Sequence, residues 1–411
     1  MVACTENKND ADIDKQLNNL LENKNYFKLH SELEKGKNKL PECRALYYQA
    51  YCNHVFNNTL ESNQCIETLL NKNKLGDSII CELLGLRASN YIRTYQYNKA
   101  ADTYKLMLEK YKHNLDNENI DNYENSYQLW SALANVEPQH IHKQNDVELK
   151  SYRNQYNHLM VPVNCKGVDN EFIFDTGANL STITESMAKK MNLKLYESNI
   201  KVGTSTEIDV YTKLAVADSF YVENILFENL VFLVVPDEQM SFPQIDYYIH
   251  GIIGFPAIYE MGEIRISKNG TISIPKEPTN KQIHNLCMEG LRPIVKIQSG
   301  NDTLLLTFDT GANFTDLSKK YYENHSKYVE ENGELVKSQR GSAGGITEVD
   351  EYLLKNFIFA IGTKTGVLPK IIVSLTEYSF NKNYDGNLGQ DIITQFDEMI
   401  LNFKYMYIDF N

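Results

Sequence analysis

Features typical of membrane-spanning and metal-binding proteins are missing from this sequence of 411 residues. No run of about 18 apolar residues occurs, so no transmembrane helix is expected. The seven cysteines form no CxxC pair and no cluster with histidine at metal-ligand spacing, which argues against a structural zinc site. Such sparse cysteines do not indicate a disulfide scaffold, and they leave the redox compartment open.

Positive charge and the motifs of several other enzyme classes are also scarce. The chain has 41 basic against 54 acidic residues and a formal net charge of −13, whereas nucleic-acid binding requires clustered lysine and arginine. The motifs HExxH, GxSxG, GxGxxG and the P-loop do not occur, so zinc hydrolases, serine hydrolases and nucleotide-binding proteins lack support. We expect no nucleic-acid partner, no bound metal and no cofactor.

Proline is nearly absent from residues 13–150, where apolar and aromatic residues recur at three- and four-residue spacing. The clearest stripe comprises Tyr91, Tyr97, Ala100, Ala101, Tyr104, Met107 and Leu108. This pattern predicts a helical domain over residues 13–150, preceded by a flexible tether at residues 1–12.

The segment from Tyr97 to Tyr104 resembles the second helix of a tetratricopeptide repeat, in which small alanines let paired helices approach closely. The turn glycine of that repeat is replaced by Tyr95. A plain helical bundle is the alternative interpretation. Under either one, we expect the domain to dock a protein partner and to carry no chemistry.

Short β-rich segments separated by Gly, Asn and Asp begin near residue 159, and they contain one signal twice. Residues 172–179 read FIFDTGAN, and residues 306–313 read LTFDTGAN, 134 positions later. A second element, GIIG at 251–254, matches GNLG at 386–389, 135 positions later. Two motifs in the same order at nearly one offset indicate an internal duplication. We predict a first lobe at 151–277, a linker at 278–290 and a second lobe at 291–411.

A strand that runs into Asp-Thr-Gly-Ala and is followed by an apolar-Gly element resembles the half-domain of retropepsin-like (clan AA) aspartic peptidases. The resemblance covers about residues 158–411. It implies a multidomain chain with an N-terminal all-α region and a C-terminal all-β, bilobal fold of the pepsin and retropepsin type. The two catalytic carboxylates would then come from one chain, which implies a monomer.

The resemblance also implies roles for the residues of the duplicated motifs. The catalytic pair would be Asp175 and Asp309. The residues supporting the active-site loops would be Thr176, Gly177, Ala178, Thr310, Gly311 and Ala312. The elements packed behind those loops would include Ile253, Gly254, Leu388 and Gly389. Asn387 is a polar residue in an otherwise apolar position of this element, and the sequence offers no explanation for it.

Each half should also supply a flap, a mobile hairpin that covers the substrate. The candidate flap and substrate-contacting residues are Gly203, Thr204, Gly341, Ser342, Gly344 and Gly345. An ordinary surface turn is the alternative interpretation for both segments.

These residues predict an aspartic endopeptidase. Two neighbouring carboxyl groups share one proton, so one can take a proton from water while the other polarises the scissile carbonyl. The substrate would be a peptide or protein. The alternative is a catalytically silent peptide-binding or scaffold protein that keeps the peptidase fold.

The N-terminus, MVAC followed by a polar stretch, resembles a bacterial lipoprotein whose signal peptide has been removed. Under this interpretation, Cys4 is the lipidation candidate and the protein is extracytoplasmic in a bacterium, either membrane-anchored or periplasmic. An ordinary frayed N-terminus is the alternative, and it leaves a cytoplasmic location open.

Overall fold

The N-terminal part of the chain is helical. The computed structural model describes residues 8–72, 75–203, 209–342, 345–378 and 381–411. Its first helices are α1 (Lys8–Glu22), α2 (Tyr26–Gly36), α3 (Glu42–Val55), α4 (Thr59–Lys72), α5 (Asp77–Arg93), α6 (Tyr97–Lys110) and α7 (Asn117–Ala132). Successive helices pack against one another. None of the helices in the described ranges is long and apolar enough to cross a membrane.

Three of the turns between these helices share one backbone geometry. Lys24, Asn57 and Tyr95 have φ of +52°, +68° and +56°. In each turn the next residue donates its amide N–H, at 2.8 Å, to the carbonyl five residues earlier. This is the helix-ending turn that glycine adopts most easily. Tyr95 therefore takes the left-handed conformation of the turn glycine that it replaces.

The first β-rich lobe contains one large sheet and several strands outside it. Its strands are β1 (His140–His142), β2 (Val147–Leu149), β3 (Tyr152–Arg153), β4 (Leu159–Cys165), β5 (Val168–Phe174), β6 (Ser181–Thr184), β7 (Lys194–Gly203), β8 (Asp209–Ala217), β9 (Phe220–Val222), β10 (Ile225–Glu228), β11 (Leu230–Val235), β12 (Ser241–Phe242), β13 (Tyr247–Tyr248), β14 (Gly251–Ile253), β15 (Glu263–Ser267) and β16 (Ile272–Ile274). Its short helices are α8 (Glu185–Lys190) and α9 (Phe255–Glu260). The sheet order is β1-β10-β9-β4-β5-β14-β6-β11-β8-β7, with β3 paired to β4.

The second lobe repeats the central part of this arrangement. Its strands are β17 (Leu286–Glu289), β18 (Arg292–Ser299), β19 (Asp302–Phe308), β20 (Asp316–Leu317), β21 (Glu334–Ser342), β22 (Gly345–Ile361), β23 (Lys364–Ser374), β24 (Gly386–Leu388), β25 (Glu398–Asn402) and β26 (Tyr407–Phe410). Its helices are α10 (Lys319–Asn332) and α11 (Gln390–Ile393). The sheet order is β17-β18-β19-β24-β20-β23-β22-β21. The central triplet β19-β24-β20 therefore corresponds to β5-β14-β6.

A third sheet joins the two lobes. Its order is β2-β16-β15-β25-β26, with β15 of the first lobe antiparallel to β25 of the second. At this junction Glu263, which is fully buried, accepts a hydrogen bond of 2.8 Å from the amide of Asn402. The predicted fold class, a helical region followed by a bilobal all-β region, is confirmed.

Strand patterning explains where the cores lie. In β4 buried and partly exposed residues alternate strictly, as expected when one face of a strand packs inward. All six residues of β11 are buried, so this strand is covered on both faces. The motif strands end in apolar residues, and Phe174 and Phe308 are fully buried behind the loops that follow them.

The boundaries of the structure differ from the predicted ones. Helix α1 begins at Lys8, inside the stretch predicted as a tether. The chain divides into one compact unit of residues 1–138 with 287–290 and another of 139–286 with 291–411, rather than at residue 150. The polar stretch after residue 138 resembles a linker in composition, but β1 and β2 within it pair with β10 and β16. The predicted linker at 278–290 likewise contains β17.

Candidate active site

The two Asp-Thr-Gly loops begin where β5 and β19 end. The amide N–H of Asp175 donates to the carbonyl of Ile253 at 3.0 Å, and that of Asp309 donates to Leu388 at the same distance. Strands β14 and β24 run parallel to β5 and β19, so these bonds extend each ladder one residue past the strand end. The direction in which each aspartate leaves the sheet is therefore determined by its backing strand.

In each lobe one hydroxyl group connects the loop to its backing element, and sequence reasoning missed both hydroxyl groups. The hydroxyl of Ser181 accepts the amide N–H of Gly254 at 3.0 Å. In the second lobe the hydroxyl of Thr315 accepts that of Gly389, also at 3.0 Å. Each hydroxyl lies six residues after its aspartate, so the alignment of the two halves, extended by two positions, would have found them.

The threonines of the two loops hydrogen-bond across the lobe interface. The amide N–H of Thr176 donates to the Thr310 hydroxyl at 3.0 Å, and the amide of Thr310 donates to the Thr176 hydroxyl at the same distance. Each hydroxyl then donates to a carbonyl of the opposite lobe: Thr310 to Phe174 at 2.9 Å and Thr176 to Phe308 at 3.2 Å. Both threonine side chains are buried. These four bonds hold the loops in one relative position.

The glycines of the motif allow the loops to meet. A Cβ placed on Gly177 would lie 2.5 Å from both Cγ and Oδ1 of Asp309. A Cβ on Gly311 would lie 2.5 Å from Oδ2 of Asp175. Side-chain carbons do not approach other atoms this closely, so each glycine makes room for the carboxyl group of the opposite lobe.

The structure therefore brings Asp175 and Asp309 together. The pKa of Asp175 is raised well above its usual value, first by burial, then by the negative charge of Asp309 and by a hydrogen bond between the two side chains. Hydrogen bonds from the loop backbone oppose this shift in pKa, since Gly177 N–H donates to Asp175 Oδ1 at 2.7 Å. In the second loop, the amides of Gly311 and Ala312 donate to Asp309 Oδ1 at 2.7 and 3.1 Å.

The alanines of the motif accept hydrogen bonds through their backbone carbonyl groups. The carbonyl of Ala178 accepts the amide N–H of Phe255 at 2.7 Å, and the carbonyl of Ala312 accepts that of Gln390 at 2.9 Å. Each alanine thus connects its loop to the start of the short helix that follows the backing strand, α9 in one lobe and α11 in the other.

A histidine close to Asp309 was not predicted. His158 Nδ1 is hydrogen-bonded to the hydroxyl of Tyr247 at 2.6 Å, and the Asn154 amide donates to that hydroxyl at 3.1 Å. Burial lowers the pKa of His158, while the negative charge of Asp309 opposes this change. The amide of Asn313 donates to the carbonyl of Tyr156 at 3.1 Å, which ties this segment to the second loop. No sequence motif marks these residues.

The polar residue in the second backing element has a structural partner. Asn387 lies beside Thr307 in the parallel pair of β24 and β19. The Thr307 hydroxyl donates to Asn387 Oδ1 at 2.6 Å. The corresponding pair in the first lobe is Ile173 and Ile252. Two apolar residues in one lobe are therefore replaced by a hydrogen-bonded polar pair in the other.

The flap candidates that the structure describes lie at the ends of strands. Gly203 is the last residue of β7, Gly341 and Ser342 end β21, and Gly345 begins β22. Thr204, Gly344 and the lipidation candidate Cys4 lie outside the described residues. Across the described ranges, no three His, Cys, Asp or Glu side chains group as metal ligands.

Comparison with known proteins gives a match to a family model within the first lobe. Residues 161–257 match the family model described as aspartyl protease. The match covers the first Asp-Thr-Gly loop and its backing strand. No curated protein matches the chain.

Three solved structures are similar to parts of this chain at low sequence identity. Conglutin gamma, a basic 7S globulin from lupine seeds, is 10% identical, with a TM-score of 0.40 over 66% of this chain and 95% of its own. Basic 7S globulin from soybean is 9% identical, with the same TM-score and coverage. A retropepsin-like aspartic protease from Rickettsia conorii is 18% identical, with a TM-score of 0.24 over 32% of this chain and 99% of its own.

Proposed function

We propose that this protein is an aspartic endopeptidase whose catalytic groups are Asp175 and Asp309. The observation that carries the proposal is the close approach of the two carboxyl groups, each packed against the opposite glycine. Two carboxyl groups at this separation do not both ionise readily, so they share one proton at mildly acidic pH. The aspartyl protease match over residues 161–257 supports the same function.

The geometry supports hydrolysis through an activated water. One carboxylate takes a proton from a water held between the pair, and the resulting hydroxide adds to the carbonyl carbon of the substrate. The other carboxyl group gives its proton to the carbonyl oxygen. When the tetrahedral intermediate collapses, the C–N bond breaks and the leaving nitrogen takes a proton from one carboxyl group. A hydroxyl group of the intermediate returns its proton to the other carboxylate as the carbonyl re-forms, so the pair again holds one proton. Because burial and the neighbouring negative charge raise the pKa of Asp175, the pair keeps its shared proton at pH values where a lone carboxyl group would be ionised.

A peptide library incubated with the protein across acidic to neutral pH tests this proposal. We expect cleavage that peaks at acidic pH, resists metal chelators and falls roughly a thousandfold in Asp175→Asn and Asp309→Asn. Asp218→Asn, which changes an exposed aspartate of the first lobe, serves as the matched control. Wild-type protein that binds peptides without cutting them would instead establish the silent peptide-binding alternative.

For the helical region, we propose a tetratricopeptide-like surface that docks a protein substrate or partner. The turn geometry shared by Lys24, Asn57 and Tyr95 supports a repeat of helix pairs. Substitutions on exposed positions of this region should weaken cleavage of a protein substrate and leave cleavage of a short peptide unchanged. Equal losses for both substrates would contradict a docking role.

The proposed location is outside the cytoplasm of a bacterium, with a lipid on Cys4. The support is the sequence pattern around Cys4 alone. Growth of cells with a fatty-acid analogue tests it, with Cys4→Ser as the control. A full-length precursor that incorporates no label at Cys4 rules out the lipoprotein.

A further inference from the structure

The sheet beside the carboxyl pair differs chemically between the two lobes. In the first lobe, Ile252 of β14 lies between Ile173 of β5 and Thr182 of β6. In the second lobe, the corresponding register places Asn387 of β24 between two polar residues. These are Thr307 of β19 and Asp316 of β20. The same three positions are therefore largely apolar in one lobe and polar with one acid in the other.

These positions share a face with the carboxyl pair. Thr307 precedes Asp309 by two residues in an extended segment, and side chains of a strand alternate between faces. Phe308, between them, points into the core and is fully buried. Neighbours in register lie on one face, and the hydrogen bond from Thr307 to Asn387 follows from this placement. Asp316 lies opposite Asn387, so Thr307, Asn387 and Asp316 form one polar row across the three strands.

The fold itself does not require the polar row. The first lobe builds the same triplet of strands with Ile173 and Ile252, so apolar side chains fit this geometry. In the second lobe, Thr307 and Asn387 are 3% and 7% exposed, and their side chains bond each other. Asp316 is partly exposed, as Ile252 and Thr182 are in the first lobe, although its Oδ1 atom is buried. Of the three side chains in the row, the acid is therefore the one that is partly open to solvent.

From this asymmetry, and resting on the proposed peptidase function, we propose that the second lobe selects a lysine or arginine side chain of the substrate. The corresponding place in the first lobe takes an apolar side chain. A carboxylate beside a buried polar pair binds an ammonium or guanidinium group by charge-assisted hydrogen bonds, whereas an isoleucine surface binds hydrocarbon. The net charge of −13 also attracts basic peptides over a longer range.

Peptides that differ at a single position test the inference. Lys, Arg, Leu and Glu are placed in turn at each residue flanking the cut, and kcat/KM is measured for full-length wild type. We expect a preference for Lys and Arg over Leu of at least about tenfold at one flanking position, and an apolar preference at the opposite one. Apolar or indifferent selection at both positions overturns the proposal.

Variants of Asp316 provide a second test of the preference for basic side chains. Asp316→Thr places there the residue that occupies the matching position in the first lobe, and Asp316→Asn keeps the shape without the charge. Both should lower the Lys-to-Leu ratio of kcat/KM about tenfold, whereas Asp218→Asn should leave it unchanged. An unchanged ratio in a folded Asp316 variant contradicts the assignment.

A binding assay separates failure of this inference from failure of the peptidase proposal. If wild type cleaves no peptide, the peptidase function has failed, and calorimetry with the same peptides then measures the selection directly. Tighter binding of the Lys peptide that is lost in Asp316→Asn supports the subsite even without turnover. Equal binding of the Lys and Leu peptides overturns it.

Discussion

At the residue scale, Gly177 and Gly311 allow the loops of the two lobes to approach each other closely. A Cβ on Gly177 would lie 2.5 Å from the carboxyl group of Asp309. We expect Gly177→Ala to lower peptide hydrolysis at least about a hundredfold and to cost about 1–3 kcal/mol of stability, because the loops must separate to make room. Gly76→Ala is the control, since a Cβ on Gly76 meets nothing within 4 Å. Kinetics and urea unfolding of both variants measure the effect. Wild-type activity in Gly177→Ala would contradict it.

The proton on Asp175 leads to a prediction about stability. Because the pKa of Asp175 is raised in the folded state, folded protein binds this proton more tightly than the unfolded chain does. The stabilisation is fully present below the ordinary pKa of the carboxyl and is lost as pH rises through the raised pKa. Asp175→Asn cannot ionise, so it should melt at a higher temperature than wild type at neutral pH.

Melting curves from acidic to neutral pH check this expectation. The difference in melting temperature between Asp175→Asn and wild type should shrink as the pH falls, because both then carry an uncharged group at this position. Asp218→Asn should not show that pH-dependent difference. A variant that is less stable than wild type at neutral pH would show that the charged form is favoured in the folded protein.

At the scale of elements, the ends of β5 and β19 are joined by the threonine bonds between the lobes. Thr176→Val removes the hydroxyl that accepts the amide of Thr310 and donates to Phe308. Because both partners are buried, we expect a loss of about 1–3 kcal/mol in the free energy of unfolding, together with reduced activity. Thr176→Ser keeps the hydroxyl and should retain most of both. Equal unfolding curves for the Val and Ser variants would show that the hydroxyl contributes nothing.

At the scale of the whole molecule, residues 139–150 belong with the β-rich unit. Strand β2 pairs with β16, and its Val147 and Leu149 are buried at 9% and 2% exposure. A fragment of residues 139–411 should therefore unfold at a temperature several degrees above that of residues 151–411. Both fragments lack residues 1–138, so the comparison isolates the twelve residues of interest. Identical melting temperatures would show that β1 and β2 add no stability.

Much of the β-rich fold followed from short patterns. The repeated Asp-Thr-Gly-Ala segments and their glycine elements predicted two lobes of one design, and the bilobal all-β class is confirmed. The start of the β-rich unit was harder to predict, because a short strand that pairs at a sheet edge can have the polar composition of a linker. Residues 140–142 and 147–149 illustrate this, since their partners β10 and β16 lie more than 80 positions later.

Residue types at set spacing within each half were enough to predict the two aspartates, the glycines beside them and the order of the lobes. The hydrogen bond between Thr307 and Asn387 and the position of His158 near Asp309 became visible only in the folded chain. Those pairs join residues about 80 and 150 positions apart, and hydrogen bonding or burial at such separations leaves no periodic signal in the chain.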